Sequence, residues 1–113
     1  MMKQGAGNVA EWIRVPEAAQ MKVGEARRLM LKHHAVALFR LDDGFFAIGD
    51  ECTHAEASLA ESDVDAEAGV VTCFRHGARF DIRTGKNLSL PATRPVPRYP
   101  VRIVDGEVEV QVE

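Results

Sequence analysis

The stretch AVALFRLDDGFFAI, from Ala35 to Ile48, places an apolar run, an Asp42-Asp43-Gly44 turn and a second apolar run end to end. Short runs of aromatic and apolar residues broken at Asp-Gly read as the two strands of a β-hairpin. Working back, Ala26 to Leu31 reads as a further strand, joined to Ala35 through Lys32, His33 and His34. The spacing thus predicts a three-stranded meander that runs straight into the residues around Cys52.

The flanks carry the same pattern. Trp12 and Arg14 alternate with Ile13 and Val15 in a strand from Glu11 to Val15 that Pro16 stops, and a Gly-containing turn is expected at Val23 to Glu25. Gly69 to Thr72 and Ala78 to Ile82 read as strands around a tight loop at Gly77, with a turn at Thr84-Gly85 behind them. Between Asn87 and Pro100 the prolines 91, 95, 97 and 100 remove backbone donors, which excludes a central strand and favours an extended, covering loop. Val101 to Val104 and Glu107 to Val112 form a last hairpin around Asp105-Gly106. Residues 55–67, rich in Ala, Glu and Ser, suit a short helix as well as a loop. The fold class is therefore all-β.

The 113 residues, 46% of them apolar, suffice for one domain, residues 1–113, with one modest core. A net charge of −3 argues against nucleic acid, which asks for a basic face. Met1 to Asn8 carries one lysine and no apolar run, so neither a secretion signal nor a membrane anchor is expected there. No later segment approaches the roughly 20 apolar residues of a membrane helix. A cytoplasmic protein is the expectation.

Two cysteines are present, and each stands within three residues of a histidine: Cys52-Thr53-His54 and Cys73-Phe74-Arg75-His76. In a reducing compartment such cysteines read as metal ligands rather than as a disulfide. A zinc finger would keep cysteines in one arm and histidines in the other, because a single metal gathers all four side chains. Here each arm carries one thiol and one imidazole, a division that suits two irons, one taking the two thiolates and the other the two imidazoles.

The C-T-H and C-x-x-H-G-A-R-F-D strings, the latter running through Gly77, Ala78, Arg79, Phe80 and Asp81, resemble the Rieske ferredoxin family. So do Thr84-Gly85, the L-P-A-T-R-P string from Leu90 to Pro95, and Tyr99 to Val101. The resemblance implies a Rieske iron-sulfur fold of antiparallel sheets with a small cluster-binding subdomain, residues 50–80. It implies one 2Fe-2S cluster held by Cys52, His54, Cys73 and His76, with Pro95 and Pro97 in a loop that shields it. It also implies a one-electron carrier, not an enzyme by itself, that passes electrons from a flavin reductase to a terminal oxygenase acting on aromatic compounds. A monomer is expected.

Members with high potentials carry an extra cysteine in each ligand loop and a serine after the second loop's glycine; the matching residues here are Ala57, Phe74 and Ala78. The resemblance thus implies a potential near the low end of the range of about −150 to +300 mV. Three alternatives stand beside it. The small subunit of an NAD(P)H-dependent nitrite reductase has a similar Val36 to Gly44 region and would be marked by a sirohaem partner. A structural zinc domain mediating protein contacts would be marked by its metal. An iron-sulfur sensor would need a helix-turn-helix or a basic stripe, and the sequence shows neither.

Among the remaining polar residues, His33 and His34 read as solvated turn histidines, and Trp12 and Tyr99 as core or rim packing. Asp50, Glu51, Glu56, Glu61, Asp63 and Asp65 form either an acidic approach that steers a basic partner or a solvated loop face. Arg75 and Arg79 serve either docking or pairing with carboxylates such as Asp81.

Overall fold

The computed structural model describes residues 9–53 and 56–113, which form three antiparallel sheets. Strands β1 (Glu11–Val15), β9 (Val101–Val104) and β10 (Glu107–Val112) make the first, in the order β1-β10-β9. Strands β2 (Ala26–Leu31), β3 (His34–Leu41), β4 (Gly44–Gly49) and β8 (Arg98–Tyr99) make the second, in chain order. The third contains the short strands β5 (Asp63–Asp65), β6 (Val70–Thr72) and β7 (Arg79–Asp81).

Strand β3 explains how these sheets stack. Side chains alternate across a strand, yet residues 35–39 are all apolar because both faces of β3 are covered. Val36 and Leu38 pack with Val15, Met21, Leu29, Val108 and Val110, filling the space between the first and second sheets. Ala37, Phe39 and Leu41 pack on the opposite side with Ile48, Val71, Phe80 and Ile82, joining the second sheet to the third. Each large side chain so buried contributes about 1.5–3 kcal/mol relative to exposure. On β10 the valines alternate with polar residues: Val108, Val110 and Val112 are buried, Glu107 and Gln111 are partly so, and Glu109 is buried beneath Arg14 and Arg102, with which it pairs.

The third sheet belongs to an excursion that leaves β4 at Gly49 and returns at β8. Ile48 pairs with Arg98 and Ala47 with Tyr99, and the Gly49 N–H donates to the Pro97 carbonyl at 2.8 Å. Glycine is required at position 49 because a Cβ there would sit 2.8 Å from Pro97 Cδ. Both ends of the excursion are therefore pinned side by side on the base, and everything between them projects from one place.

Most expected strands occur within a residue or two of their predicted bounds, and three readings change. Lys32 adopts φ +57°, which closes the β2–β3 turn at Lys32 and His33, so His34 enters β3 opposite Leu31 instead of joining the turn. Its ring lies edge-on to Tyr99 at 5.8 Å, and its Nε2 is 2.7 Å from the Glu113 carbonyl oxygen, so it is a half-buried strand residue with partners and not a turn histidine. The proline-rich stretch ends in the two-residue strand β8, permitted because it lies at the sheet's edge. Within residues 56–67 the chain makes a 3-10 turn at Leu59–Glu61 and then β5, whose pairing with β6 overrides the local propensity for helix.

Candidate metal centre

Two hairpin loops built to the same plan carry the cysteines. In the first, the Cys52 N–H donates to the Ala57 carbonyl at 3.0 Å, and Glu51 bridges Ser58 just behind it. In the second, the Cys73 N–H donates to the Ala78 carbonyl at 2.8 Å, and Thr72 pairs with Arg79 behind it. Each cysteine thus opens a loop that is closed five residues later by a buried alanine. Gly77 takes φ +76° to complete the second turn, and its N–H donates to the Cys73 carbonyl at 3.0 Å.

The cysteines lie at the loop bases, 3% and 2% exposed, and neither forms a disulfide. Both belong to the apolar cluster that contains Ala57, Leu59, Ala78 and Phe80. His76, in contrast, is exposed on the second loop, next to exposed Phe74 and Arg75. His54 lies outside the described residues. Of the four candidate ligands, the two sulfurs are therefore brought into one buried cluster, and the imidazole of the second loop is turned outward.

The loops are braced from several sides. Asp50, 3% exposed, accepts from Ser58 Oγ (2.8 Å) and the Ala60 N–H (2.9 Å) through Oδ1, and from Arg28 Nε (3.0 Å) through Oδ2. Its backbone carbonyl accepts the Leu59 N–H at 2.7 Å. The acidic approach inferred from the sequence therefore loses Asp50, which ties the first loop to β2. Its place directly after the buried run Ala47-Ile48-Gly49 was the available signal, since a carboxylate carried into a core needs donors. Thr53 Oγ1 donates to the Arg94 carbonyl at 2.9 Å, fastening the same loop to the proline-rich segment. That segment is held in turn by Val96, whose N–H donates to the Gly85 carbonyl at 2.9 Å. Gly85 has φ +80°, and a Cβ on it would overlap the Val96 carbonyl oxygen.

Behind the loops, Arg83 forks onto Asp43 with bonds of 3.1 and 2.8 Å and lies over the Phe46 ring at 5.3 Å, joining the β3–β4 turn to the third sheet. The guanidinium holds the Asp43 carboxyl below its ordinary value, chiefly through this hydrogen bond, and Asp43 in turn raises Arg83. Burial pushes the Tyr99 hydroxyl up. Among the described residues neither Arg75 nor Arg79 forms an ion pair, and Asp81 Oδ1 instead accepts the Arg83 N–H at 2.8 Å.

Soft sulfur donors inside and a nitrogen donor outside suit an iron-sulfur group that needs both, whereas a redox-inert buried thiol pair would not call for the repeated loop. The donor set present fits a cluster with mixed ligation.

Known proteins share this sequence and fold. The chain is 40% identical over 104 residues to the anthranilate 1,2-dioxygenase ferredoxin subunit of Burkholderia cepacia, covering 92% of this chain and 94% of that protein. Among solved structures, the ferredoxin of carbazole 1,9a-dioxygenase from Nocardioides aromaticivorans IC177 superposes with a TM-score of 0.83 at 34% identity, covering 88% of this chain and 95% of that one. A chain in the complex of reduced oxygenase and oxidised ferredoxin of carbazole 1,9a-dioxygenase gives 0.80 at 37% identity, covering 88% and 91%. Ferredoxin subunits carry electrons and do not themselves catalyse the oxygenation. With residues 11–100 matching the Rieske [2Fe-2S] domain, the chain belongs to that family of electron carriers, whose cofactor is one 2Fe-2S cluster.

Proposed function

We propose that Cys52, His54, Cys73 and His76 would hold the cluster, the two cysteines ligating one iron and the two histidines the other. In this reading residues 50–80 are the cluster-binding subdomain of a single domain spanning 1–113, and the chain is a cytoplasmic monomer. It passes single electrons from a flavin-dependent reductase to the terminal oxygenase of an aromatic-ring dioxygenase system. The observation that carries the reading is the pair of matched loops, each with a buried cysteine at its base.

The cluster, when bound, accepts and returns one electron at a potential set by its ligands and their surroundings. What this chain's residues contribute is placement. Burial of Cys52 and Cys73 among Ala57, Leu59, Ala78 and Phe80 keeps water from the sulfurs. Exposure of His76 leaves its imidazole edge within reach of a docked protein, which shortens the path an electron must cross. On the same loop Phe74, 55% exposed, supplies apolar contact area, and the exposed Arg75 and Arg79 supply charge. An oxygenase with an acidic rim around an apolar recess fits this face. Among the described residues no helix is long and apolar enough to cross a membrane.

The test is reconstitution. The purified chain, a flavin reductase with NADH and a terminal oxygenase should together hydroxylate an aromatic substrate, and omission of the chain should stop product formation. A chain that takes electrons from the reductase yet supports only a sirohaem nitrite reductase refutes this partner assignment.

A further inference from the structure

We infer that the Ser62 hydroxyl is a clasp that sets the second ligand loop against the first, a positioning role that rests on the cluster assignment proposed above. The β5–β6 ladder ends at the pair Asp63↔Thr72, so Ser62 and the residues after Cys73 face each other where pairing stops. There the Ser62 side chain takes over. Its Oγ accepts the Phe74 N–H at 3.3 Å and donates to the Ser58 carbonyl at 2.9 Å.

Each end of this contact lies within a ligand loop or at its exit. Phe74 is the residue after Cys73, and Ser58 closes the first loop by bridging Glu51. The Ser62 N–H donates to the Leu59 carbonyl at 3.2 Å, which fixes the residue at the end of the 3-10 turn, and Ser58 Oγ is anchored on Asp50. A continuous hydrogen-bonded path thus runs from Arg28 on the base through Asp50, Ser58 and Ser62 to the backbone of the second loop. Only a short side chain with an oxygen at the γ position both accepts and donates here. Alanine loses both bonds, and threonine keeps them.

Because the two cysteines come from different loops, their separation depends on how the loops are held, and a side chain that spans the gap affects cluster retention more than it affects the base sheets. The Phe74 bond is long for an N–H···O contact, so its net worth belongs at the modest end of the scale for a neutral hydrogen bond.

The experiment uses the full-length, cluster-loaded protein and the variants Ser62→Ala, Ser62→Thr and Ser89→Ala. Ser89 Oγ accepts the Arg79 N–H at 3.2 Å, a bond of the same kind that does not connect the two ligand loops. With excess chelator under anaerobic conditions, loss of visible absorbance should run about five-fold faster in S62A, matching the loss of roughly one neutral hydrogen bond. Its reduced electron paramagnetic resonance lines should broaden, while S62T and S89A stay within about two-fold of wild type on the same scale. Amide exchange across residues 73–77 of the unaltered protein gives a second readout that needs no variant: protection at Phe74 is expected. An unprotected Phe74, an S62A protein that keeps its cluster as long as wild type, or an S89A protein that loses it as fast as S62A overturns the clasp alone. A wild-type chain that binds no iron and sulfide overturns the cluster assignment and the clasp with it.

Discussion

Asp50→Ala removes an acceptor that takes three hydrogen bonds from two segments, the 3-10 turn and β2. Oδ1 receives Ser58 Oγ at 2.8 Å and the Ala60 N–H at 2.9 Å, and Oδ2 receives Arg28 Nε at 3.0 Å. The Arg28 side chain is 48% exposed, so solvent screens that pair and leaves it about 0.5–1 kcal/mol. The other two bonds go to a carboxylate that is almost fully buried; hydrogen bonds to charged groups contribute about 1.5–3 kcal/mol each, less when they share one acceptor and the freed donors reach water. The expected loss is about 3 kcal/mol, which for a chain of this size lowers the melting temperature by about 12 °C. Asp50→Asn keeps an oxygen for Ser58 and Ala60 but turns an amide donor toward Arg28, and should lose about half as much. Guanidinium unfolding of wild type and both variants, compared in the same cluster-loaded state, measures this. A D50A protein within about 0.5 kcal/mol of wild type, the ordinary range for surface substitutions, would refute the argument that Asp50 anchors the first loop.

Cys73→Ser should fold, because serine fits the site, yet fail to retain iron and acid-labile sulfide in metal and sulfide analysis of the purified protein. The Asp43–Arg83 contact sets a pH dependence. The carboxyl's value is depressed below 3.8 in the folded chain, so its stabilisation is present above that value and is lost as pH falls through the lower folded one. The melting temperature of Asp43→Asn should therefore fall less steeply than that of wild type below about pH 4, as followed by circular dichroism. Charge reversal of Arg75 and Arg79 to glutamate should raise the KM of the terminal oxygenase for the carrier while leaving the cluster spectrum unchanged, and added salt should shrink the difference between variant and wild type.

The meander of β2, β3 and β4 was legible because local turn chemistry and apolar runs agreed: Asp42-Asp43-Gly44 marks one turn, and residues 35–41 are apolar enough to be covered on both faces. The cysteine and histidine pairs were legible because the chemistry of mixed ligation needs those types in two arms. Less was visible where long-range contacts decide. Strand β5 has no propensity of its own and exists because β6 lies beside it. His34 left its turn because a single left-handed residue, Lys32, closes the hairpin more tightly than three residues would. Asp50 stands in a run of acidic residues, and only the course of the chain reveals that its carboxylate points into the protein while Glu51 and Glu56 remain exposed. The equal five-residue spacing of Cys52 to Ala57 and Cys73 to Ala78 was present in the sequence, but its meaning as two like hairpins depends on hydrogen bonds that no pattern of residue types records.

Ligation of one diiron cluster by two sulfurs and two imidazole nitrogens is the claim on which the functional account rests. Electron paramagnetic resonance of the dithionite-reduced protein, with iron and sulfide counted on the same sample, addresses it most directly. The account predicts equal iron and sulfide and a signal distinct from that of an all-cysteine two-iron ferredoxin, with nitrogen couplings from two imidazoles. A preparation containing zinc and no iron, or a two-iron signal without nitrogen coupling, would contradict it.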